Sequence, residues 1–221
     1  MVAHQYKLYG MSVSTCTQKV VFALKAKNLN FEFININVLK REQKLPEHIA
    51  RHPFGKIPVL EDETGFMIFE SLAIVRYLDA EYPTIGTKLV PTDPKKAAVV
   101  DQWTYQSSFN FYPHIQGVIV ETAIKPVAKL PTDEAKLAAS RALLEPTLDI
   151  YERHFATRTF FANDEFSLAD VAHLPYFNVI NRTQPDLIKT RPNVAAWFKR
   201  STEMDTWKAV MEWVQAAPKS H

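Results

Sequence analysis

Over residues 1–83 the apolar positions change period several times, as short strands and helices in alternation require. Tyr6 to Tyr9 form a short mixed run closed by Gly10. Ser14 or Thr15 then stands where an N-cap belongs, and Val20, Val21, Ala23 and Leu24 supply a helix-period apolar face. Asn28 and Asn30 are stop signals, because asparagine tolerates the left-handed cap conformation. Ile34, Ile36 and Val38 alternate with Asn35 and Asn37, the two-residue period of a strand with one wet face. The polar stretch from Lys40 to His52 reads as a loop holding a brief helix. Ile57-Pro58-Val59-Leu60 and Phe66-Met67-Ile68-Phe69, joined through Glu63-Thr64-Gly65, predict an antiparallel hairpin. Glu70-Ser71 opens a last helix with Leu72, Val75 and Leu78 on its apolar side. Strand–helix–strand followed by strand–strand–helix predicts an α/β domain over residues 1–83.

Residues 84–93 read as a linker containing Gly86, and from 94 to 221 the signals are helical. Asp93-Pro94 pairs an N-cap with proline at the first helical position. Asp133 caps a long helix with Leu137, Leu144, Leu148, Tyr151 and Phe155 on one side. Ser167-Leu168-Ala169-Asp170 is a capping box opening a segment, with Val171, Leu174 and Phe177, apolar enough to be central. Pro192 starts a further helix bearing Trp197 and Phe198, and Pro113, Pro146 and Pro175 are expected to kink or interrupt theirs. This second domain is expected to be all-α over 94–221.

Composition narrows the chemistry. The chain has only five glycines, no two closer than ten residues apart, so neither a Rossmann fingerprint nor a P-loop can be written in it. Twenty-six basic residues against 24 acidic ones, spread throughout, give no reason to expect a nucleic-acid partner. One cysteine cannot form an internal disulfide, which fits a reducing compartment. The absence of a long apolar run, together with an N-terminus that lacks a signal-like apolar region, leads us to expect a soluble cytoplasmic protein without a membrane partner. The seven histidines and the cysteine lack metal-ligand spacing, and His48/His52 at i,i+4 have no third partner, so no metal is expected. His114 and His173 are expected to serve as hydrogen-bond partners.

Two stretches could carry chemistry. In Tyr9-Gly10-Met11-Ser12-Val13-Ser14-Thr15, a glycine turn delivers a hydroxyl to a helix N-terminus, whose N–H groups and positive dipole end favour an anion. The plainer alternative is that Ser14 only caps the helix. In His52-Pro53-Phe54-Gly55-Lys56-Ile57-Pro58, an Ile-Pro bond ahead of a strand is a candidate cis peptide that turns backbone groups outward to pair with an extended peptide. Glu70-Ser71 offers a carboxylate for an amine, and a hydroxyl and N–H for a carboxylate. Here too a turn proline and a routine cap would read the same way.

Together these motifs resemble the glutathione transferases over nearly the whole chain, and most of all the phi class. The resemblance rests on the Ser14-Thr15 turn, Pro53-Phe54-Gly55-Lys56-Ile57-Pro58, the stretch Phe69-Glu70-Ser71 with Ala73, Ile74, Tyr77 and Leu78, and the capping box, in order and spacing. It implies a thioredoxin-like glutathione-binding domain, an all-helical domain bearing the second substrate, and a homodimer. It further implies that Ser14 hydrogen-bonds the glutathione sulfur and that the Ile57 backbone pairs with the cysteinyl unit. Glu70 and Ser71 would hold the γ-glutamyl end, and Gln43 and Lys44 the glycyl carboxylate. Lys56 replaces a glutamine common in its slot, where its cation could also meet that carboxylate. Met11-Ser12-Val13 lacks the proline frequent near this turn. An apolar cleft for the electrophile is expected to draw on Met11, Phe54, Phe109, Tyr112, Ile115 and Phe177.

The thiol arithmetic supports a serine-only mechanism. A free thiol has pKa about 8.5, so roughly 3% is ionised at pH 7. Lowering it by about two units takes about 2.7 kcal/mol of preferential thiolate stabilisation. A hydrogen bond to a charged group contributes about 1.5–3 kcal/mol and a helix N-terminus about 0.3–1. Cys16 raises a rival, glutathione-dependent thiol transfer or peroxidase chemistry through a mixed disulfide, but it lies about 200° round the helix from Ser14. Tyr9 is a second rival as sulfur donor. Beside the transferase stand a carrier of hydrophobic ligands and an interaction module.

Overall fold

Strand β1 (Tyr6–Gly10) buries Tyr6 and Leu8 and exposes Lys7, as a pleated strand between two neighbours must. The computed structural model describes residues 5–218. β1 runs parallel to β2 (Phe31–Asn35) and antiparallel to β3 (Val59–Asp62), which pairs with β4 (Met67–Phe69), giving a four-stranded sheet in the order β2-β1-β3-β4. The second strand thus begins and ends earlier than the alternation at Ile34–Val38 suggests. Its pairing is set by the length of β1, from Tyr6 against Phe31 to Gly10 against Asn35. Beyond Ile36, whose N–H still reaches Gly10 O at 2.7 Å, Asn37 turns the chain aside: its N–H donates to Glu42 and its side-chain oxygen accepts from Lys40 N–H.

Helix α1 (Thr15–Ala26) links β1 to β2 and is buried continuously from Thr17 to Leu24, because two helices pack against it. One is α3 (Ser71–Glu81), whose core side chains are Ile74, Val75 and Leu78, with Leu72 only half-buried. The other is the last helix, α11 (Asp205–Ala216). Between β2 and β3 lie a 3-10 turn (Glu42–Lys44) and α2 (Pro46–Arg51). At the far end of α1, buried Lys27 pairs with Asp79 at 2.7 Å, and Asp79 also accepts Leu89 N–H, tying the exit of α3 to α1.

By packing, the chain divides into two compact units, one running to Leu89 and taking in the chain from Met204 onward, the other Val90–Glu203. This corrects the single helical domain expected over 94–221. The edge strand β2 presents Phe31 and Phe33, and Trp213 of α11 covers them, edge-on to Phe33 with ring centroids 4.9 Å apart.

The second unit is helical. Helix α4 (Pro94–Gln106), capped by Asp93, continues through a π turn (Ser107–Phe111) into α5 (Tyr112–Ile119), and through another (Val120–Ile124) into α6 (Lys125–Val127). Then follow α7 (Glu134–Phe155), α8 (Leu168–Thr183), α9 (Asp186–Lys189) and α10 (Pro192–Glu203). Pro146 and Pro175 lie inside uninterrupted helices, whereas Pro113 comes just after the π turn Ser107–Phe111, where the regular hydrogen-bond ladder of the helix is interrupted. Helix α8 is central: Asp170 in its first turn accepts from Ser167 N and Oγ, Phe161 N and Trp197 Nε1. His114 reaches Thr147 Oγ1 at 3.1 Å, and His173 lies within 3.0 Å of both Ala169 O and Tyr151 OH.

Candidate glutathione site in the first unit

Strand register assembles the candidate residues. Tyr9 pairs with Val59, and Val59 with Phe69. The chain leaving β1, the chain entering β3 and the chain leaving β4 therefore meet at one end of the strands. Those three segments are the turn to Ser14, Ile57-Pro58, and Glu70-Ser71. The Ile57–Pro58 bond is cis.

Ser14 is the N-cap of α1, with φ −70° and ψ 124°, and its Oγ accepts the Thr17 N–H at 3.4 Å. That bond uses one of the oxygen's two lone pairs and leaves the hydroxyl proton available to donate. No acidic residue occupies the first turn, so the helix brings no carboxylate of its own to its positive end.

The segment 42–57 is braced from several sides. Lys44 Nζ donates to Phe54 O at 3.0 Å, and His48 Nε2–H donates to Lys56 O at 2.7 Å. Gly55 has φ +55° and lies so close to Gln43 that a side-chain carbon there would stand 2.8 Å from the Gln43 carbonyl. Gln43, Lys44, Lys56 and Ile57 are therefore brought together, and the Gln43 amide oxygen is buried without a hydrogen-bond partner. The buried His52 ring stacks on Phe69 at 4.4 Å, joining this segment to the end of β4. Burial holds the His52 pKa below the usual imidazole value, against the pull of Glu70.

Glu70 is exposed and holds φ +69°, a left-handed conformation that costs a side-chain-bearing residue about 1–3 kcal/mol and is met where the surroundings enforce it. Ser71, the first residue of α3, is buried. Lys19 was passed over by sequence reasoning. It is buried on α1, its pKa pushed down by burial and pulled back by neighbouring Cys16 and Glu70. The only sequence signal for it is its place directly before the apolar run Val20–Leu24. His48 and His52 were weighed only as metal ligands; their signal was i,i+4 spacing running into Pro53.

The rival donor Tyr9 is committed elsewhere. Its hydroxyl donates to Glu61 at 2.5 Å beneath the Arg51 guanidinium, and burial followed by the Glu61 bond raises its pKa. Cys16 is half-buried. Of the residues named for the electrophile, Met11 is half-buried and Phe54 is 68% exposed in the first unit. Phe109 at 73% and Tyr112 at 38% are exposed in the second. Ile115 and Phe177 are a correction: both are 0% exposed, and Phe177 stacks on Phe111 and packs on Trp197 in the core. Among the described residues no group of three or more His, Cys, Asp or Glu could hold a metal ion.

Residues 4–80 match the family model "Glutathione S-transferase, N-terminal domain", and residues 111–205 match "Glutathione S-transferase, C-terminal domain". The chain belongs to the glutathione S-transferase family. Among its glutathione S-transferase relatives, "Glutathione S-transferase F11" of Arabidopsis thaliana is 34% identical over 209 residues, 93% of this chain and 97% of that one. Such plant relatives are phi-class glutathione S-transferases. The crystal structure of glutathione transferase F7 from Populus trichocarpa superposes with a TM-score of 0.89 at 33% identity, covering 95% of this chain and 99% of that one. Glutathione S-transferase I from mais, solved in complex with an atrazine glutathione conjugate, matches with a TM-score of 0.85 at 25% identity, covering 97% of this chain and 100% of that one.

Proposed function

We propose that the protein conjugates the glutathione thiolate to hydrophobic electrophiles, with Ser14 as the residue that stabilises the thiolate. The observation that carries this reading is the Ser14 hydroxyl at the N-terminus of a helix with no acidic residue in its first turn, where it accepts from Thr17 N–H and keeps its own proton to donate. Ser14 donates a hydrogen bond and removes no proton itself; by the arithmetic above, that bond and the helix end suffice in magnitude. Glu70 and Ser71 take the γ-glutamyl ammonium and carboxylate, the Ile57 backbone takes the cysteinyl unit, and Gln43, Lys44 and Lys56 take the glycyl carboxylate. The exposed Phe109 and Tyr112 of the helical unit supply apolar contacts to the electrophile. The family resemblance further supports a homodimer, and a lone cysteine supports a cytoplasmic setting. Domain roles follow: glutathione in the first unit, the apolar substrate on the helical one.

The exposed Tyr105 and Phe109 rings, with centroids 6.5 Å apart, favour a second role in carrying flat hydrophobic ligands. Conjugation of glutathione to an aryl halide, measured for the parent and Ser14→Ala beside binding of an apolar dye, separates the two. The transferase reading expects a loss of about 10-fold or more in Ser14→Ala, equivalent to about 1.4 kcal/mol. A parent that binds the dye tightly without conjugating would leave the carrier role alone.

A further inference from the structure

The turn that carries Ser14 runs from Gly10 to Ser14 with no proline, so its geometry must be held by contacts rather than by a locked φ. The cap bond itself is weak, since Thr17 N lies 3.4 Å from Ser14 Oγ. The firmer hold comes from one residue. Gln18 is buried on the second turn of α1, and its backbone N–H donates to Ser14 O at 2.9 Å. Its side-chain Nε2–H reaches back past the helix end to donate to Ser12 O at 3.1 Å, in a fully buried hydrogen bond. The two bonds grip the main chain on both sides of the Val13–Ser14 peptide. The Ser14 N–H donates to Met11 O at 2.9 Å and closes the same turn.

We propose that Gln18 is the positioning residue for the Ser14 hydroxyl: its side-chain amide fixes the Ser12–Val13 peptide, its backbone N–H fixes the Ser14–Thr15 peptide, and together they aim the O–H at the glutathione sulfur. This rests on the proposed role of Ser14 and deepens it. The Ser12 carbonyl belongs to a buried residue, so without the Gln18 amide it has every reason to rotate toward another donor or water, taking the turn with it. Misplacing a catalytic group by about 1 Å can cost about 100-fold in rate, and a hydrogen bond to a thiolate is the kind of interaction that decays over that distance.

The test uses the full-length protein with glutathione and an aryl halide. It follows kcat and KM across pH, and the ultraviolet absorbance of enzyme-bound glutathione thiolate, for the parent, Gln18→Leu, Gln18→Glu and Ser14→Ala. Leucine keeps the bulk and loses the donor; an ionised glutamate keeps the shape but can only accept. Both variants are expected to fold, to keep KM for glutathione within about 2-fold, and to lose about 3-fold in kcat near neutrality. That loss corresponds to a thiol pKa raised by about one unit. The rate should return at alkaline pH, where the thiol ionises without help. A merely structural role would lower activity without moving the titration.

A parent-like pH profile in either folded variant overturns the inference, as does a loss confined to KM, or a failure of both variants to fold. If Ser14→Ala matches the parent, the reading of Ser14 fails; if Ser14→Ala is impaired while both Gln18 variants titrate like the parent, only the role of Gln18 fails.

Discussion

Replacing Asp170 tests whether the second unit is organised around one buried carboxylate. Its Oδ1 accepts Phe161 N–H at 3.1 Å and Trp197 Nε1–H at 2.9 Å; its Oδ2 accepts Ser167 N–H at 2.9 Å and the Ser167 hydroxyl at 3.1 Å. The side chain thus joins the segment before α8, the start of α8, and α10. Asp170→Ala strands three buried N–H donors at about 1–3 kcal/mol each before relaxation, and water entry will recover part of this. A net loss of about 3–5 kcal/mol is expected, or roughly 6–20 °C in Tm for a chain of this size. Burial has the opposite effect on the ion itself, pushing its carboxyl up from 3.8 to about 6 against the pull of Trp197, Phe161 and Ser167. Because the folded pKa is the higher one, the native state holds more protons between those values, and stability falls as pH rises through that window, by about 3 kcal/mol at most. The gap between the parent and Asp170→Ala should therefore be widest near pH 4 and narrowest at pH 7. Asp170→Asn, neutral and of the same shape, should lose less than alanine and show no such pH dependence. Thermal unfolding at pH 4, 5 and 7 reads all of this. A gap below about 1 kcal/mol, or one that does not change with pH, would refute the reasoning.

Other expectations are simpler to check. Cys16→Ser should conjugate glutathione within about 2-fold of the parent, since a serine-type site asks nothing of this sulfur; abolished activity would restore the thiol-transfer mechanism. Tyr9→Phe loses the bond to Glu61 and about 1 kcal/mol of stability in a urea titration, with kcat unchanged. Burial holds the His154 pKa below the usual imidazole value. Its folded pKa being the lower one, the unfolded chain takes up protons first, and stability is lost as pH falls from about 6.5 through that value. In calorimetry from pH 7 to 5, His154→Phe should therefore lose less of its Tm than the parent does.

Much of the glutathione-binding half was legible because its signals are local. The Ser14 cap, the hairpin around Gly65 and the opening of α3 after Glu70 each follow from a few adjacent residues. What brings them together is the register Tyr9–Val59–Phe69, a long-range pairing that no short window contains. The shift of β2 to Phe31–Asn35 has the same origin: the partner strand, and not the Asn/Ile alternation, decides where pairing ends. Trp213 could be recognised as apolar but not as the cover for Phe31 and Phe33, which lie far away in sequence. Ile115 and Phe177 were misplaced because an apolar residue near a binding helix looks alike whether it lines a site or fills the core. Gly117 had no reading in sequence; a side-chain carbon there would stand 2.1 Å from Ser140 Oγ, so α5 and α7 meet through it.

The central claim is that Ser14 stabilises the glutathione thiolate, and the pKa of the bound thiol tests it most directly. Titrating the thiolate absorbance of glutathione bound to the parent should give a midpoint about two units below the free value of about 8.5. With Ser14→Ala it should rise to within about one unit of that free value, the helix end retaining its smaller share. A variant whose bound thiol titrates where the parent's does would contradict the account.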